Sequence, residues 1–142
     1  MKVQDVMTGH LITVDREETV AAAARLLSRH NIGALPVTSG EGRLVGMLTD
    51  RDITVRCVAA NFDPNITRVR TIMSTGAVTV PAEESTGTAA RIMGRSQVRR
   101  LPVTSNGKLV GMVSQGDFAT SADYSVEAAQ AFLEVFQPIR EE

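Results

Sequence analysis

The spacing of apolar and polar positions changes period several times along the chain, and each change predicts an element. "LITV" (11–14) is a short β-rich run. Asp15 and the acidic pair Glu17–Glu18 follow it and favour a helix start through capping and the helix dipole. Val20, Ala23, Ala24 and Leu27 then recur on one helical face, while Glu17, Glu18, Arg25 and Ser28 can face water. "ALPV" (34–37) and "RLVGML" (43–48) are two β runs either side of a Gly-containing turn, the pattern of a hairpin. Pro36, and Pro102 further on, argue that the first strand of each hairpin lies at a sheet edge or ends early. "TDRDITVRCVAA" (49–60) returns to helical composition, so the unit is β-α-β-β-α.

The same unit is then written a second time. "DVM" (5–7) returns as "TIM" (71–73), "LITV" as "AVTV" (77–80) and "AAARLL" (22–27) as "TAARIM" (88–93), an offset of about 66 residues. "IGALPVTS" (32–39) matches "VRRLPVTS" (98–105), and "EGRLVGML" (41–48) matches "NGKLVGMV" (106–113) at an offset of about 65. A period this long describes a whole folding unit and not a solenoid turn. In the second copy Gly87 and Gly94 weaken the helix. The expected organisation is a first repeat over residues 1–60, a linker over 61–68 near the turn signals Asp63–Pro64–Asn65, and a second repeat over 69–121. An amphipathic C-terminal helix and tail over 122–142 carries Val126, Ala129, Leu133 and Phe136 at helical spacing, to pack on its own chain or at a dimer contact. Each unit spans roughly 60 residues, a marginal size for independent stability, so the sheets of the two copies should pair and leave a ligand cleft between them.

Composition narrows the function classes. Hydrophobic residues make up 43% and charged residues 22% of 142 residues, which predicts a packed soluble protein. Fifteen Lys and Arg against sixteen Asp and Glu give a net charge of -1, so no basic field exists to draw in nucleic acid. No apolar run reaches the roughly 18 residues of a membrane span, and "MKVQDVMTGH" has no secretory apolar segment, so a cytoplasmic location is expected. The single Cys57 lies among apolar neighbours and reads as a small buried hydrophobe. His10, His30 and Cys57 show no metal-ligand spacing, and there is no Ser/His/Asp or Cys/His set, so neither metal binding nor catalysis is expected.

The chemistry-bearing motif is "GMLTDRD" (46–52), repeated as "GMVSQGD" (111–117). Thr49 with Asp52, and Ser114 with Asp117, satisfy the capping-box signature that starts many helices that bind nothing. The same arrangement also suits a phosphate, because a helix N-terminus presents unpaired N–H groups and a hydroxyl can add a donor. An ionised Asp one turn along can accept two hydrogen bonds from a ribose diol. The motif alone leaves both readings open.

The doubled order of repeat, "LPV" strand, "GMLTDRD" and "GMVSQGD" resembles a tandem cystathionine β-synthase (CBS) domain pair, or Bateman module, over about 120 of the 142 residues. The resemblance implies a mixed α+β fold of two pseudo-symmetric β-α-β-β-α repeats packed sheet to sheet, with the C-terminal helix added. It implies a non-catalytic regulatory module that requires no cofactor and binds AMP, ADP or ATP, with S-adenosylmethionine as a further candidate. Such a module would act as a homodimer of CBS pairs on a separate, unidentified protein. Carried over by position, Thr49 and Ser114 would approach phosphate and Asp52 and Asp117 the ribose. Thr13, Val14, Ile32, Gly33, Ala34 and Pro36, and in the second copy Thr79, Val80, Val98, Arg99, Arg100 and Pro102, would line the adenine or the wall beside it.

The two copies differ at matching positions. Gly33–Ala34 and Arg51 in the first are replaced by Arg99–Arg100 and Gly116 in the second, so each keeps a guanidinium near the expected phosphate on opposite walls. "VRRLPV" looks like a phosphate-contacting basic pair found in some nucleotide-sensing members of the family, which would give the second copy the more phosphorylated ligand; alternatively the two arginines pair with Glu83 or Glu84. The competing function is a ligand-free interaction module in which both motifs are only helix caps.

Overall fold

In the computed structural model, residues 1–119 are described, and the expected tail helix lies outside the described residues. The elements are α1 (Val3–Val6), β1 (Val14–Asp15), α2 (Val20–His30), β2 (Ala34–Thr38), β3 (Leu44–Thr49) and α3 (Asp50–Asp52), which continues as a π-helix (Ile53–Val58). They are followed by α4 (Val69–Ile72), β4 (Val80–Pro81), α5 (Thr86–Ser96), β5 (Arg100–Ser105), β6 (Lys108–Ser114) and α6 (Gln115–Ala119). The fold class is mixed α+β, with two three-stranded sheets of order β1-β2-β3 and β4-β5-β6. In each, a short first strand runs parallel to the middle strand and the third is antiparallel to it.

The compact units do not follow the sequence repeats. One is continuous, Ile12–Ala77; the other is discontinuous and joins Met1–Leu11 to Val78 and the residues after it. The leading segment of each repeat has exchanged places. Val69 and Arg70 donate their N–H groups to the carbonyls of Glu18 and Arg16 at 2.8 and 3.0 Å, and Ser74 exchanges a pair of 2.9 Å backbone bonds with Met47 on the outer edge of β3. In the discontinuous unit Val3 and Gln4 donate to Glu84 and Ala82 at 2.8 and 3.0 Å, while Thr8 and Met112 exchange the matching pair.

Each unit has its own core. Val14, Val20, Ala23, Leu27, Leu35, Val37, Leu48, Cys57, Val69 and Ile72 form one. Val3, Val80, Ala82, Ala89, Ala90, Met93, Leu101, Val103, Val113 and Phe118 form the other.

Several local expectations are corrected. The β run "LITV" contributes only Val14 to β1. Thr19, not Asp15, caps α2, its hydroxyl accepting from the Ala22 N–H at 3.1 Å; the Asp15 carboxylate instead accepts from Glu17 N–H within the preceding turn. α5, which contains Gly87 and Gly94, has 11 residues like α2. Both helices end on a left-handed residue, Asn31 at φ 51° and Gln97 at φ 53°.

The proline strands are not edges. β2 and β5 are the middle strands of their sheets. Pro36 faces Met47, whose N–H and carbonyl both turn outward to Ser74, so Pro36 directs its amide nitrogen away from β3 and towards β1. Pairing with β1 begins only at Val37, so the missing N–H removes no ladder bond. Pro102, opposite Met112 and one residue before the Val80–Val103 pair, repeats the arrangement.

Candidate functional site

In the continuous unit the candidate residues gather at one end of the sheet. Ala34 pairs with Thr49, Pro36 with Met47, and Val14 with Val37, so the start of β2, the end of β3 and the start of β1 share that end. The N–H of Asp50 donates to the carbonyl of Gly33 at 3.0 Å and fixes the start of α3 against the residue before β2. The discontinuous unit repeats this, with Arg100 opposite Ser114 and the Gln115 N–H donating to the Arg99 carbonyl at 3.1 Å.

Both capping boxes are formed. Asp52 N–H donates to Thr49 Oγ1 and Thr49 N–H donates to Asp52 Oδ2, each at 3.0 Å. In the other unit Ser114 N–H donates to Asp117 Oδ2 at 2.7 Å, and Asp117 N–H donates to Ser114 Oγ at 3.4 Å. The hydroxyls then diverge. Ser114 Oγ, besides accepting the Asp117 N–H, donates its own proton to Asp117 Oδ2 at 3.1 Å, whereas Thr49 Oγ1 acts towards Asp52 only as the acceptor of its N–H.

The backbone donors anticipated for phosphate are occupied by the chain itself. The Asp50, Arg51 and Asp52 N–H groups are bonded to Gly33 O, Asp50 Oδ1 and Thr49 Oγ1. An anion at this helix start would therefore be read by side chains and hydroxyls more than by the helix terminus.

Asp52 is only 12% exposed, and its Oδ1 lies 3.9 Å from Arg56 Nε. Arg56 Nη1 also donates to the carbonyls of Ile72 and Met73 at 3.4 and 3.3 Å. Arg56 thus ties the carboxylate to the end of α4, a positioning role missed at the sequence level. The i, i+4 spacing of Asp52 and Arg56 was the available signal.

The remaining candidates divide by burial. Thr13, Ile32, Gly33 and Ala34, and likewise Thr79 and Val98, are half-buried, while Arg51, Arg99 and Arg100 are exposed. Val14 and Val80 belong to the cores, and Pro36 and Pro102 are buried. A depression of about 450 Å³ in the continuous unit takes in Thr13 and Val14 with Asp15, Glu18, Arg25 and Arg29, but none of the motif residues Thr49, Arg51 or Asp52.

Cys57 is fully buried and its thiol donates to the Phe62 carbonyl at 3.5 Å. Burial pushes the thiol pKa up, and the negative charge of Asp63 adds to the shift. Among the described residues no group of three or more His, Cys, Asp or Glu is arranged to hold a metal ion, and no helix is long and apolar enough to cross a membrane.

Comparison with known proteins gives this geometry a family. The CBS domain model matches residues 3–58 and 69–123. The chain is 39% identical over 133 residues to the CBS domain-containing protein YhcV of Bacillus subtilis, covering 94% of each. The solved Hypoxic Response Protein I, which carries two coordinated zinc ions, is similar at a TM-score of 0.77 and 39% identity over 84% of this chain and 97% of that one. The CBS domain pair of protein MJ0100, solved with 5′-methylthioadenosine and S-adenosyl-L-methionine, is similar at a TM-score of 0.70 and 28% identity over 84% and 93%. With two CBS matches in tandem along its length, the chain belongs to the CBS domain family.

Proposed function

We propose that this protein is a regulatory module that binds an adenosine-containing ligand and passes the occupancy on to a separate protein, without catalysing a reaction itself. The observation that carries the reading is the doubled Thr/Ser-x-x-Asp box, held in each unit against the residue before the middle strand. Asp52 and Asp117 supply acceptors for the ribose diol, and Thr49 and Ser114 stand at the 5′ side with Arg51 and with Arg99 and Arg100. The adenosine compounds held by the MJ0100 domain pair support the ligand class. AMP, ADP and ATP belong to the same reading, as does a cytoplasmic homodimer of CBS pairs. A signal requires the ligand to bind two conformations unequally.

One observation favours a second reading, a ligand-free interaction module. The helix-start N–H groups of α3 are satisfied by the chain itself, as pure caps would be. Calorimetric titration of the full chain with ATP, AMP, 5′-methylthioadenosine and S-adenosylmethionine, repeated on Asp52→Ala and Asp117→Ala, separates the two. Binding lost at one site in one variant, with the fold retained, supports the sensor. Absence of heat with every compound while the chain is folded overturns it in favour of the interaction module.

A further inference from the structure

The two carboxylate oxygens of Asp52 are held by different parts of the chain. Oδ2 accepts the Thr49 N–H at 3.0 Å and closes the capping box, whereas Oδ1 faces the Arg56 guanidinium, with Nε at 3.9 Å. Arg56 lies one turn further along the helix, and its Nη1 donates to the Ile72 and Met73 carbonyls at 3.4 and 3.3 Å. Each of the two peptide units that Arg56 holds by the carbonyl is held at its N–H as well. Met73 N–H donates to the Val69 carbonyl at 3.0 Å, and Ser74 N–H donates to the Met47 carbonyl at 2.9 Å.

These contacts close into a ring. Met47 and Thr49 belong to β3, Thr49 is boxed with Asp52, Asp52 faces Arg56, Arg56 holds Met73, and the next residue, Ser74, returns to Met47. Ser74 meets β3 through one isolated bridge, a pairing short enough to open locally. The Arg56 side chain is half-exposed, which leaves its guanidinium room to shift between the carboxylate and the carbonyls. The second copy differs here: at the position matching Arg56 it carries Ser121, which has no cation to offer a carboxylate.

We propose that Arg56 is a positioning residue that couples a ligand on Asp52 to the docking of Ile72–Ser74 on the edge of β3. A ribose diol donating to Asp52 satisfies part of the carboxylate charge. The guanidinium then settles on the Ile72 and Met73 carbonyls, and the docked segment opens less often. By linkage, the docked segment favours the diol by the same factor. The segment runs on through Ala77 into Val78, where the discontinuous unit resumes, so occupancy of the first copy reaches that junction through a link that the second copy lacks. The inference rests on the adenosine-binding reading above and adds the residue through which occupancy leaves the site.

The test is hydrogen exchange at the Met73 and Ser74 amides of the full chain, with and without saturating AMP or 5′-methylthioadenosine, both of which carry the ribose diol. Binding is followed in parallel by calorimetry. In the wild type the bound compound should slow both amides by at least about fivefold, the low end of coupling between sites. In Arg56→Gln the slowing should vanish while the compound still binds, and Arg56→Lys, which keeps the charge without the fork, should restore part of it. Arg56→Met, equally neutral, serves if Arg56→Gln does not fold. A merely structural role for Arg56 would speed exchange with and without ligand alike and leave the ratio between them unchanged. That unchanged ratio in the neutral variant, or wild-type amides that do not respond to a bound compound, overturns the coupling while leaving an adenosine sensor. A folded wild type that binds neither compound overturns both.

Discussion

Gly46→Ala probes why glycine stands in "VGM" of both repeats. A Cβ at Gly46 would lie 2.7 Å from the Ser74 carbonyl oxygen and 2.9 Å from Met73 Sδ. Met73 can rotate, but the Ser74 carbonyl is fixed because Ser74 and Met47 exchange two 2.9 Å backbone bonds beside it. Overpacking of this kind costs about 1–3 kcal/mol. Losing the conformational freedom of glycine in the unfolded chain returns about 0.5–1 kcal/mol. With a fixed backbone oxygen as the obstacle the upper half of that cost applies, so the net expectation is about 1–2.5 kcal/mol of destabilisation, read as a urea midpoint lower by about 0.5–1.2 M. Because the obstacle is backbone, adding Met73→Ala should not rescue it. At Gly111 a Cβ would meet the Met7 sulfur first and the Thr8 carbonyl at 3.0 Å, so there Met7→Ala should relieve part of the cost. Gly40, with nothing within 4 Å, is the control, and Gly40→Ala should be neutral or slightly stabilising. An unchanged midpoint for Gly46→Ala, or full rescue by Met73→Ala, would refute the argument that the Ser74 backbone sets this position.

Two further outcomes follow from the described contacts. Thr49→Ala removes the acceptor of Asp52 N–H and should cost about 1 kcal/mol, with Thr49→Ser restoring most of it; equal chemical denaturation curves for all three proteins would contradict the cap. Because the folded state raises the Cys57 pKa, the unfolded chain loses its thiol proton first as pH rises, so this group costs nothing below about pH 8.5 and lowers stability progressively above it. Urea midpoints between pH 7 and 10 should therefore fall more steeply for the wild type than for Cys57→Ala, and parallel slopes would sink that account.

Much of the fold was legible because it is local. The helical stripe of Val20, Ala23 and Leu27, the hairpins and the Asp63 turn all depend on neighbours a few residues away, and the Asp63 carboxylate does accept from Asn65 N–H at 2.9 Å. What the chain pattern could not supply was pairing at long range. Nothing near Val69 says that it will hydrogen-bond Glu18, and nothing near Pro36 says that β1 stops one residue short of it. The capping boxes were readable at fixed spacing. The Arg56 tie to α4 required three-dimensional neighbours. The π-helical turn from Ile53 to Val58 has an apolar pattern that a plain α-helix would share.

The exchanged leading segments also set an order of events during synthesis. Ile12–Ala77 is complete once its last residue has emerged, so it can fold while the remainder is still being made. Val3, by contrast, waits for Val80, Leu101 and Val113 before its core exists. The segment around Val3 is thus ordered only after residues far downstream of it have been made, and removing that segment should unsettle the core that Val80, Leu101 and Val113 complete.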